Sequence, residues 1–401
     1  MTTSSPDDAR AGGDFALIIL LAAVTAIGPF SMHVLSPALP EIARDFEVPA
    51  AAAQLMLSLS LLAMAVATLI WGPISDALGR RPVLIAGLVL GTLGSALAAL
   101  APDLWLAILG RLLQAGGGAA GMVLARAVAQ DVFGSERSAG VIGQITAVMV
   151  AAPMIAPAVS GLIVEVSGWR GVFWMVAVVT AALVVWSRLS MPETAPKGGG
   201  TSSLGDLIRG FGEIGRIRAF WRYAAYASFG LSSFYYFVAI APYIMREAFQ
   251  QGAAAYGFYF MILSATFMVT NFIAGPVSQR FGQEQTLMFG AWLALAGPIL
   301  TATLLISGVH QPWVLFVPGM LGSLGAGLAM PNAMAGAVAS SPSRAGAASG
   351  LLGFSQFIVA AFATQAAGFL PHDVALTAPL GMMAIVLPGI AALVFLKPRP
   401  A

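Results

Sequence analysis

The sequence predicts an all-α membrane protein of twelve transmembrane helices in two six-helix halves, and three observations lead to that prediction. Of the 401 residues, 59% are hydrophobic and 9% are charged, whereas soluble globular chains carry about 25% charged residues. The hydrophobic residues come in blocks of about 20 or more, the length that a helix needs to cross a bilayer. A loop sequence from the first half of the chain recurs in the second half.

Each of the twelve blocks is interpreted as one helix, because it is apolar and almost free of charge. The blocks lie near residues 15–38, 52–72, 82–101, 104–129, 138–165, 171–189, 219–246, 255–279, 285–307, 313–337, 344–370 and 374–396. The chain is therefore divided into a cytoplasmic tail (1–14), a first half (15–190), a cytoplasmic linker (191–217), a second half (218–396) and a second cytoplasmic tail (397–401). The linker is rich in Gly, Ser, Pro and charge, and we expect a short amphipathic helix at its end.

The charged residues set the orientation. With both termini in the cytoplasm, fifteen of the 19 Lys and Arg residues fall on the cytoplasmic side, as the positive-inside rule requires. The same residues are spread over many short loops and form no single basic face, which argues against a nucleic-acid partner. The first 14 residues lack the basic start and the cleavage pattern of a signal peptide.

The repeated loop reads GPISDALG at residues 72 to 79 and GPVSQRFG at residues 275 to 282. Gly, Pro, Ser and Gly recur at a constant offset, so six helices, a connector and six more helices form a tandem duplication. Such halves surround a central cavity in many transporters. Two halves complete that cavity within one chain, so we expect a monomer in the lipid bilayer.

Several classes of protein are disfavoured by missing parts. The chain has no Cys, which excludes disulfides and thiolate metal sites. No Gly-Lys-Ser/Thr follows a Gly-rich stretch, so no phosphate-binding loop is predicted. A membrane-embedded hydrolase would need a Gly-x-Ser-x-Gly motif, a second deep His or a deep carboxylate, and a receptor would need a sizeable soluble domain. The sequence therefore predicts no enzyme, no cofactor and no metal.

Several motifs in the right order resemble the major facilitator superfamily. GPISDALGRRPVL, RLLQAGGGAAG (111 to 121) and APMIAPAVSG (152 to 161) are similar to motifs of its proton-coupled drug antiporters. With PALP, ARAVAQDVF, GWRGVF and MPET, the pattern resembles the Bcr/CflA drug-export subfamily. The resemblance implies the major facilitator fold, a bacterial inner membrane and export of small drug-like molecules by alternating access in exchange for protons.

The first repeated loop is a candidate cytoplasmic gate. Asp76 lies at the end of the second helix, with Arg80 and Arg81 just beyond it. A carboxylate there can bridge to an Arg or to a helix N-terminus and hold the inner side closed; the alternative is a loop ion pair that only sets topology. Arg126 and Asp131 make a further cytoplasmic contact in one interpretation, and an ordinary solvated pair in the other.

Small and bending residues mark helix packing. Gly117 and Gly121 form a small-xxx-small pair that lets neighbouring helices approach closely. Pro153, Pro157 and Gly161 are expected to bend the fifth helix and let it rock. We therefore interpret the Gly-rich stretches as packing surfaces.

Two titratable or charged side chains lie deep in predicted spans. Burying Arg111 costs at least about 2.5 kcal/mol, so it is expected to face a cavity or a partner. His33 and Arg111 are each 18 residues from the cytoplasmic end of their helix. At about 1.5 Å per residue both lie at the same depth, which makes mutual contact feasible.

His33 departs from the pattern of the resembled subfamily. Relatives that carry PALP typically have an Asp four residues before its first Pro, and that acid exchanges a proton. No other Asp or Glu lies deep in a predicted span here, so we expect a cavity that favours neutral or anionic compounds over lipophilic cations. Either His33 carries the proton that drives export, or it is a hydrogen-bonding residue that only lines the cavity.

The remaining candidates are polar or aromatic residues that would line a substrate cavity. They are Phe30, Gln114, Tyr235, Tyr236, Asn271, Asn332 and Gln356. Aromatic faces with a few amides suit drug-sized molecules. An uncoupled facilitator or an importer of a small metabolite is the alternative, because the expected deep acid is absent.

Overall fold

The computed structural model describes residues 6–195 and 204–396; the predicted tail at 397–401 and the middle of the predicted linker lie outside them. The helices are α1 (Pro6–Val34), α2 (Leu39–Asp45), α3 (Ala50–Leu78), α4 (Arg80–Leu100), α5 (Leu104–Ser190), α6 (Leu204–Ile214), α7 (Arg218–Glu247), α8 (Ala253–Phe281), α9 (Gln283–Ile306), α10 (Trp313–Phe316), α11 (Gly319–Ala339), α12 (Ala345–Ala367) and α13 (Thr377–Phe395), with short 3-10 turns at Ser36–Ala38 and Pro342–Arg344. All regular secondary structure in the described part of the chain is helical, as predicted.

Eleven helical segments of the described residues are long and apolar enough to cross a membrane. One of them, Gly140–Ser190, has 51 residues and would extend about 77 Å, whereas a hydrocarbon core is about 30 Å thick. That length is enough for two crossings, and the segment contains the predicted block 171–189 and all but the first two residues of the block 138–165. The prediction of an all-helical, multi-pass membrane protein is confirmed.

Two glycines interrupt the regular helical backbone of α5. Gly134 has φ +66° and Gly168 has φ +72°, values that a right-handed helix cannot accommodate. The second break is fixed by its neighbours, since Trp169 Nε1 donates to Asp45 at 2.9 Å and Arg170 Nη1 donates to the same carboxylate at 2.6 Å. The chain therefore turns at Gly168, between the two predicted blocks.

The chain divides into two compact units. The first unit contains Met1–Met32, Val66–Pro153 and Phe173–Ser202, and the second unit contains His33–Ala65, Met154–Val172 and Ser203–Ala401. Helices α1, α3 and α5 each contribute residues to both units. The second unit therefore combines the six C-terminal spans with one end of α1, one end of α3 and the middle of α5.

Helix α7 is central to the second unit, where it packs against α12 and α13, while α11 packs against α8 and α9. The hydrophobic core of the second unit includes Tyr226, Phe220 and Leu287, each at most 1% exposed. The predicted linker helix is present as α6, in which Glu213 forms an ion pair with Arg344 at 2.8 Å.

The repeated loops have the same backbone geometry. Gly79 precedes α4 with φ +103°, and Gly282 precedes α9 with φ +89°. Both conformations belong to the region that glycine adopts without a Cβ penalty. The sequence repeat is thus also a repeat of a sharp turn between two spans.

Candidate functional site

The loop between α3 and α4 holds a charged cluster in the first unit. Arg80 forms an ion pair with Asp76, and its Nη1 also donates to Ser75 Oγ at 2.6 Å. Its Nε donates to Asp131 Oδ2 at 3.2 Å, which links the loop to α5. One guanidinium therefore joins three groups, a contact pattern that a lysine could not reproduce.

The partner of Asp131 corrects one expectation. The contact suggested between Arg126 and Asp131 is replaced, because Asp131 accepts from Arg80 and from Thr194 Oγ1 at 3.2 Å. Arg126 lies near Met149 Sδ at 3.9 Å. Arg81 donates to the Arg188 carbonyl near the end of α5, so the two loop arginines have different partners.

Glu193 belongs to the same cluster and was missed as a site residue. Its Oε1 accepts the backbone N–H of Arg80 at 2.9 Å and its Oε2 accepts that of Arg81 at 3.3 Å. The N–H groups of Thr194 and Ala195 each lie 3.0 Å from Oε1. Burial alone would raise the pKa of this carboxyl, but the four backbone donors hold it below its ordinary value. Glu193 thus caps the N-terminus of α4.

The glycines of α5 contact α4 and α1 directly. A Cβ on Gly117 would overlap the Gly87 carbonyl and the backbone of Gly91, and a Cβ on Gly121 would overlap the Val24 carbonyl. By contrast, a Cβ on Gly116 would meet nothing within 4 Å. The close approach expected of Gly117 and Gly121 is therefore present.

The Pro- and Gly-rich stretch of α5 has an equivalent contact in the second unit. A Cβ on Gly161 would lie 2.5 Å from the Ala253 carbonyl oxygen, and one on Gly257 would lie 2.5 Å from that of Pro157. Four residues before Pro157, Pro153 is the last residue of the first stretch of α5 that belongs to the first unit. The stretch therefore packs closely against α8, while its bending role stays a prediction.

Arg111 lies in a polar chain inside the first unit. It is 1% exposed, and its guanidinium donates to Gln114 Oε1 and to Met32 Sδ, the latter at 3.3 Å. Gln114 Nε2 in turn donates to Ser95 Oγ at 2.7 Å, and Ser95 donates to the Gly91 carbonyl at 2.8 Å. These contacts fix the guanidinium and the amide relative to α4 and α1.

His33 lies in the second unit and is surrounded by aromatic rings. Its ring centroid is 5.6 Å from those of Phe234 and Tyr235 and 6.3 Å from that of Phe260. The imidazole is 3% exposed. The three ring contacts have the tilted geometry and the centroid spacing typical of packed aromatic side chains.

The expected cavity-lining residues differ in how far their polar groups are engaged. Tyr236 donates to the Thr377 carbonyl at 2.8 Å, and Gln356 donates to the Ala227 carbonyl at 3.4 Å. Asn332 accepts from Ser278 Oγ at 2.9 Å and donates to the Leu328 carbonyl at 2.8 Å. Ser278 belongs to the second repeated loop, so Asn332 binds that loop.

Two further members of the set are half-buried: Phe30 in the first unit and Asn271 on α8 in the second. Tyr235 is the member that faces His33. Of the expected set, the described contacts therefore bring Gln114 to Arg111 and Tyr235 to His33.

Hydrogen bonds tie the 3-10 turn at Ser36–Ala38 and the start of α3 to the C-terminal helices within the second unit. Ser36 Oγ donates to the Val238 carbonyl at 2.5 Å and lies 3.0 Å from Tyr256 Oη. Gln54 Nε2 donates to the Ala239 carbonyl at 2.7 Å. Gln365 accepts from Ser58 Oγ at 2.7 Å and donates to the Ala51 carbonyl at 2.8 Å. Each of these bonds must break if the two sets of helices separate at this end.

A polar cavity of about 510 Å³ also lies in the second unit. Its charged members are Glu41, Arg44, Glu165 and Arg246, and its lining otherwise includes Pro37, Pro40, Val164, Pro242, Gln250, Gln251, Gly252, Ala253 and Tyr256. Two acids and two arginines balance each other. None of the residues expected to line the substrate cavity belongs to it.

The residues that sequence reasoning missed carry weak signals. Phe234 and Phe260 are ordinary apolar positions in their spans, and only a long-range contact shows that they enclose His33. Ser95 is a lone hydroxyl in α4. Glu193 carried a usable signal, because it stands in MPET directly after an apolar block.

Comparisons with known proteins agree with this architecture. Among curated proteins, the chain is 28% identical over 388 residues to the uncharacterized MFS-type transporter YdgK of Bacillus subtilis, covering 95% of this chain and 94% of that protein. It is 27% identical to the bicyclomycin resistance protein homolog of Haemophilus influenzae, covering 96% and 97%. It is also 27% identical to multidrug resistance protein D of Escherichia coli, covering 89% of each chain.

Solved structures share the fold. The crystal structure of a D-xylose-proton symporter superposes with a TM-score of 0.75 at 14% identity, covering 95% of this chain and 97% of that one. The family model of the Major Facilitator Superfamily matches residues 21–364, and matches again over residues 223–401. The chain therefore belongs to the major facilitator superfamily and is a multi-pass membrane transporter of small molecules.

Proposed function

We propose that this transporter exports small neutral or anionic drug-like molecules from a bacterial cell in exchange for protons. Its place would be the inner membrane, with both termini in the cytoplasm, as the distribution of basic residues supports. Relatives named for bicyclomycin resistance and multidrug resistance support the substrate class. The observation that carries the proposal is the aromatic enclosure of the deep titratable residue His33.

His33 would carry the exchanged proton. A neutral imidazole is favoured in an apolar enclosure, and a proton taken from a more acidic exterior would create a charge there that is costly to keep. Release of that proton to the cytoplasm relieves the cost. The cycle is then driven by the pH gradient, and His33 replaces the acid that the resembled subfamily carries at this position.

Arg111 would supply the fixed positive charge. Its guanidinium is oriented by Gln114 and Met32, and such an oriented fork suits a carboxylate or an electron-rich carbonyl group on a substrate. A fixed cation also repels lipophilic cations. Because the sequence places no acid deep in a predicted span, this fixed charge is the reason for the preference for neutral or anionic compounds.

Alternating access would use the two hydrogen-bonded clusters described above. The Asp76, Arg80 and Asp131 cluster would respond to opening of the cytoplasmic side, and the bonds of Gln54 and Gln365 would break as the outer side opens. The protein also needs no cofactor or metal for this work, since the pH gradient supplies the free energy.

The test is transport in proteoliposomes under an imposed pH gradient. Chloramphenicol and bicyclomycin serve as neutral probes, benzylpenicillin as an anion and ethidium as a cation. Wild type is compared with His33→Ala and His33→Asp, with His310→Ala as the matched control because His310 is exposed in the loop between α9 and α10. We expect His33→Ala to abolish gradient-driven accumulation while equilibrium exchange persists. Saturable accumulation of ethidium by the wild type would contradict the substrate class.

An uncoupled facilitator or importer of a small metabolite is the second candidate, and the substitution of His for the expected acid favours it. In that case His33 only lines the cavity. Wild type, His33→Ala and His33→Asp would then all run downhill at similar rates and ignore the pH gradient.

A further inference from the structure

A second buried histidine lies in the connection between α12 and α13, far along the chain from His33. His372 is 9% exposed. Its Nε2 lies 3.1 Å from the carbonyl oxygen of Ala367, the last residue of α12. The helix ends leave carbonyl groups without intrahelical partners, so this contact makes His372 the cap of the α12 C-terminus.

The imidazole also makes a tilted ring contact with α7. Its ring centroid is 4.7 Å from that of Tyr243, at an interplanar angle of 30°. Tyr243 is 2% exposed, and its hydroxyl has no hydrogen-bond partner among the described residues. His372 therefore caps α12 with one hydrogen bond and holds the α12–α13 connection to the end of α7 with one ring contact.

The capping contact determines which nitrogen can take up a proton. Because Nε2 faces a carbonyl oxygen, it must be the N–H of the neutral ring, and Nδ1 is the nitrogen that remains to be protonated. Protonation at Nδ1 leaves the cap intact but places a full positive charge in a largely buried contact. The contact then persists only if neighbouring charges offset the loss of hydration.

The charged and titratable groups around His372 are few. On α7 they are Tyr243 and Glu247, on the connection itself the group is Asp373, and α12 contributes the negative end of its dipole through Ala367. Burial lowers the pKa of His372, while Glu247, the Ala367 carbonyl and Asp373 each raise it. Burial outweighs the other three, and the pKa lies below the ordinary value of 6.5.

We propose that His372 is a proton-binding site at the end of α7, separate from His33, whose protonation releases the α12–α13 connection from Tyr243. The neutral ring holds the connection closed against α7. The protonated ring is better solvated outside the contact, so acid favours the released arrangement. With the orientation of the proposed function, this connection faces the exterior, and acid outside would loosen the outer end of α7.

The sign of the pH dependence follows from the lowered pKa. The folded protein binds this proton less readily than the unfolded chain does. The contribution of His372 to the free energy of unfolding is therefore fully present at neutral pH and is lost as the pH falls below the ordinary imidazole pKa. A glutamine at this position can still donate to the Ala367 carbonyl but cannot titrate. His372→Gln should therefore retain the cap and lose the pH dependence.

The first experiment is NMR of histidine-labelled protein in detergent micelles between pH 5 and 8. The chain has three histidines, so His310→Gln and His372→Gln assign the signals. We expect the His372 ring to titrate below the free value and Glu247→Gln to move its midpoint further down. A His372 midpoint at or above that of the exposed His310 would overturn the proposal.

The second experiment is thermal unfolding of the same proteins at pH 7.5 and 5.5. We expect the wild type to lose more of its midpoint temperature on acidification than His372→Gln does, whereas His310→Gln should behave as the wild type. Equal losses in wild type and His372→Gln would overturn the proposal. Neither measurement depends on transport, so a failure of proton-driven export would refute the proposed function and leave this site standing.

Discussion

Glu193 Oε1 lies 2.9 Å from the backbone nitrogen of Arg80, although 113 residues separate the two along the chain. The carboxylate closes the N-terminus of α4 at the same point where Arg80 joins Asp76 and Asp131. The segment that leaves the first half of the chain is thereby fastened to the loop that the resemblance assigns to the cytoplasmic gate.

Replacing Glu193 should weaken that fastening. Glu193→Gln keeps the shape but loses the charge opposite the helix N-terminus, and for an exposed group we expect a loss of about 0.5–1 kcal/mol of unfolding free energy. Because its pKa is lowered, the contribution is present above the ordinary carboxyl value of 4.5 and is lost as the pH falls through the folded-state value. Thermal unfolding at pH 7 and pH 4 measures both effects. Glu47→Gln, at an exposed carboxylate, is the control, and an equal effect in both variants would contradict the capping role.

Adjacent glycines of α5 should respond oppositely to the same change. Gly117→Ala forces a methyl group into the backbone of α4, and overpacking of this kind costs about 1–3 kcal/mol. Gly116→Ala enters open space and should be neutral or stabilising by about 0.5–1 kcal/mol, since Ala is the better helix former. The yield of folded protein and the unfolding midpoint in detergent compare the two. Similar unfolding midpoints would show that α4 and α5 are not close-packed at Gly117.

Arg111→Lys keeps the charge but not the fork geometry. We expect transport of neutral and anionic probes to fall at least about tenfold, because an ammonium cannot hold Gln114 and Met32 as the guanidinium does. Arg137→Lys is the control on the same helix, where the exposed pair with Asp14 should contribute within about 0.5 kcal/mol. Initial rates in proteoliposomes measure the effect. Wild-type rates in Arg111→Lys would show that transport needs only the positive charge at this position and not the orientation of the guanidinium.

Gln365→Leu removes two hydrogen bonds from the cluster that joins α3 to α12. We expect the end of the transporter that the proposed orientation places outside to open more often, by roughly fivefold or more for a loss of one to two kcal/mol. The chain has no Cys, so Ala53→Cys, a fully buried position on α3, gives a single thiol for a membrane-impermeant maleimide. Gln251→Leu, an exposed amide outside the cluster, should leave the labelling rate unchanged. An unchanged labelling rate in Gln365→Leu would contradict the role of these hydrogen bonds in holding this end of the transporter closed.

The sequence predicted the spans well because the bilayer leaves little choice. An apolar block without charge must be helical to satisfy its backbone, and this holds for every block. The break at Gly168 is less visible, because the chain turns there within an otherwise helical run. That two spans are separated between residues 165 and 171 follows from the length of the apolar run. The turn itself depends on the positive φ of Gly168 and on the hydrogen bond from Trp169 to Asp45.

The site was harder to predict because its contacts join distant segments. The depth of His33 could be counted along α1, but its neighbours Phe234 and Phe260 come from α7 and α8. The sequence predicts that Asn332 lines the substrate cavity, but its side chain accepts a hydrogen bond from Ser278. The sequence indicates both Arg80 and Asp131 as gate residues, but it does not predict that they pair, since residues 51 apart in sequence give no periodic signal.

The seam between Gly117 and Gly87 limits how this transporter can evolve. Every single-base change of a glycine codon that alters the residue adds at least a methyl group, and no such group fits there. Selection must therefore remove variation from the seam, whatever compounds the cell encounters. Under the proposed function, adaptation to new compounds is left to positions such as the aromatic rings around His33, where size and shape can change without separating two backbones.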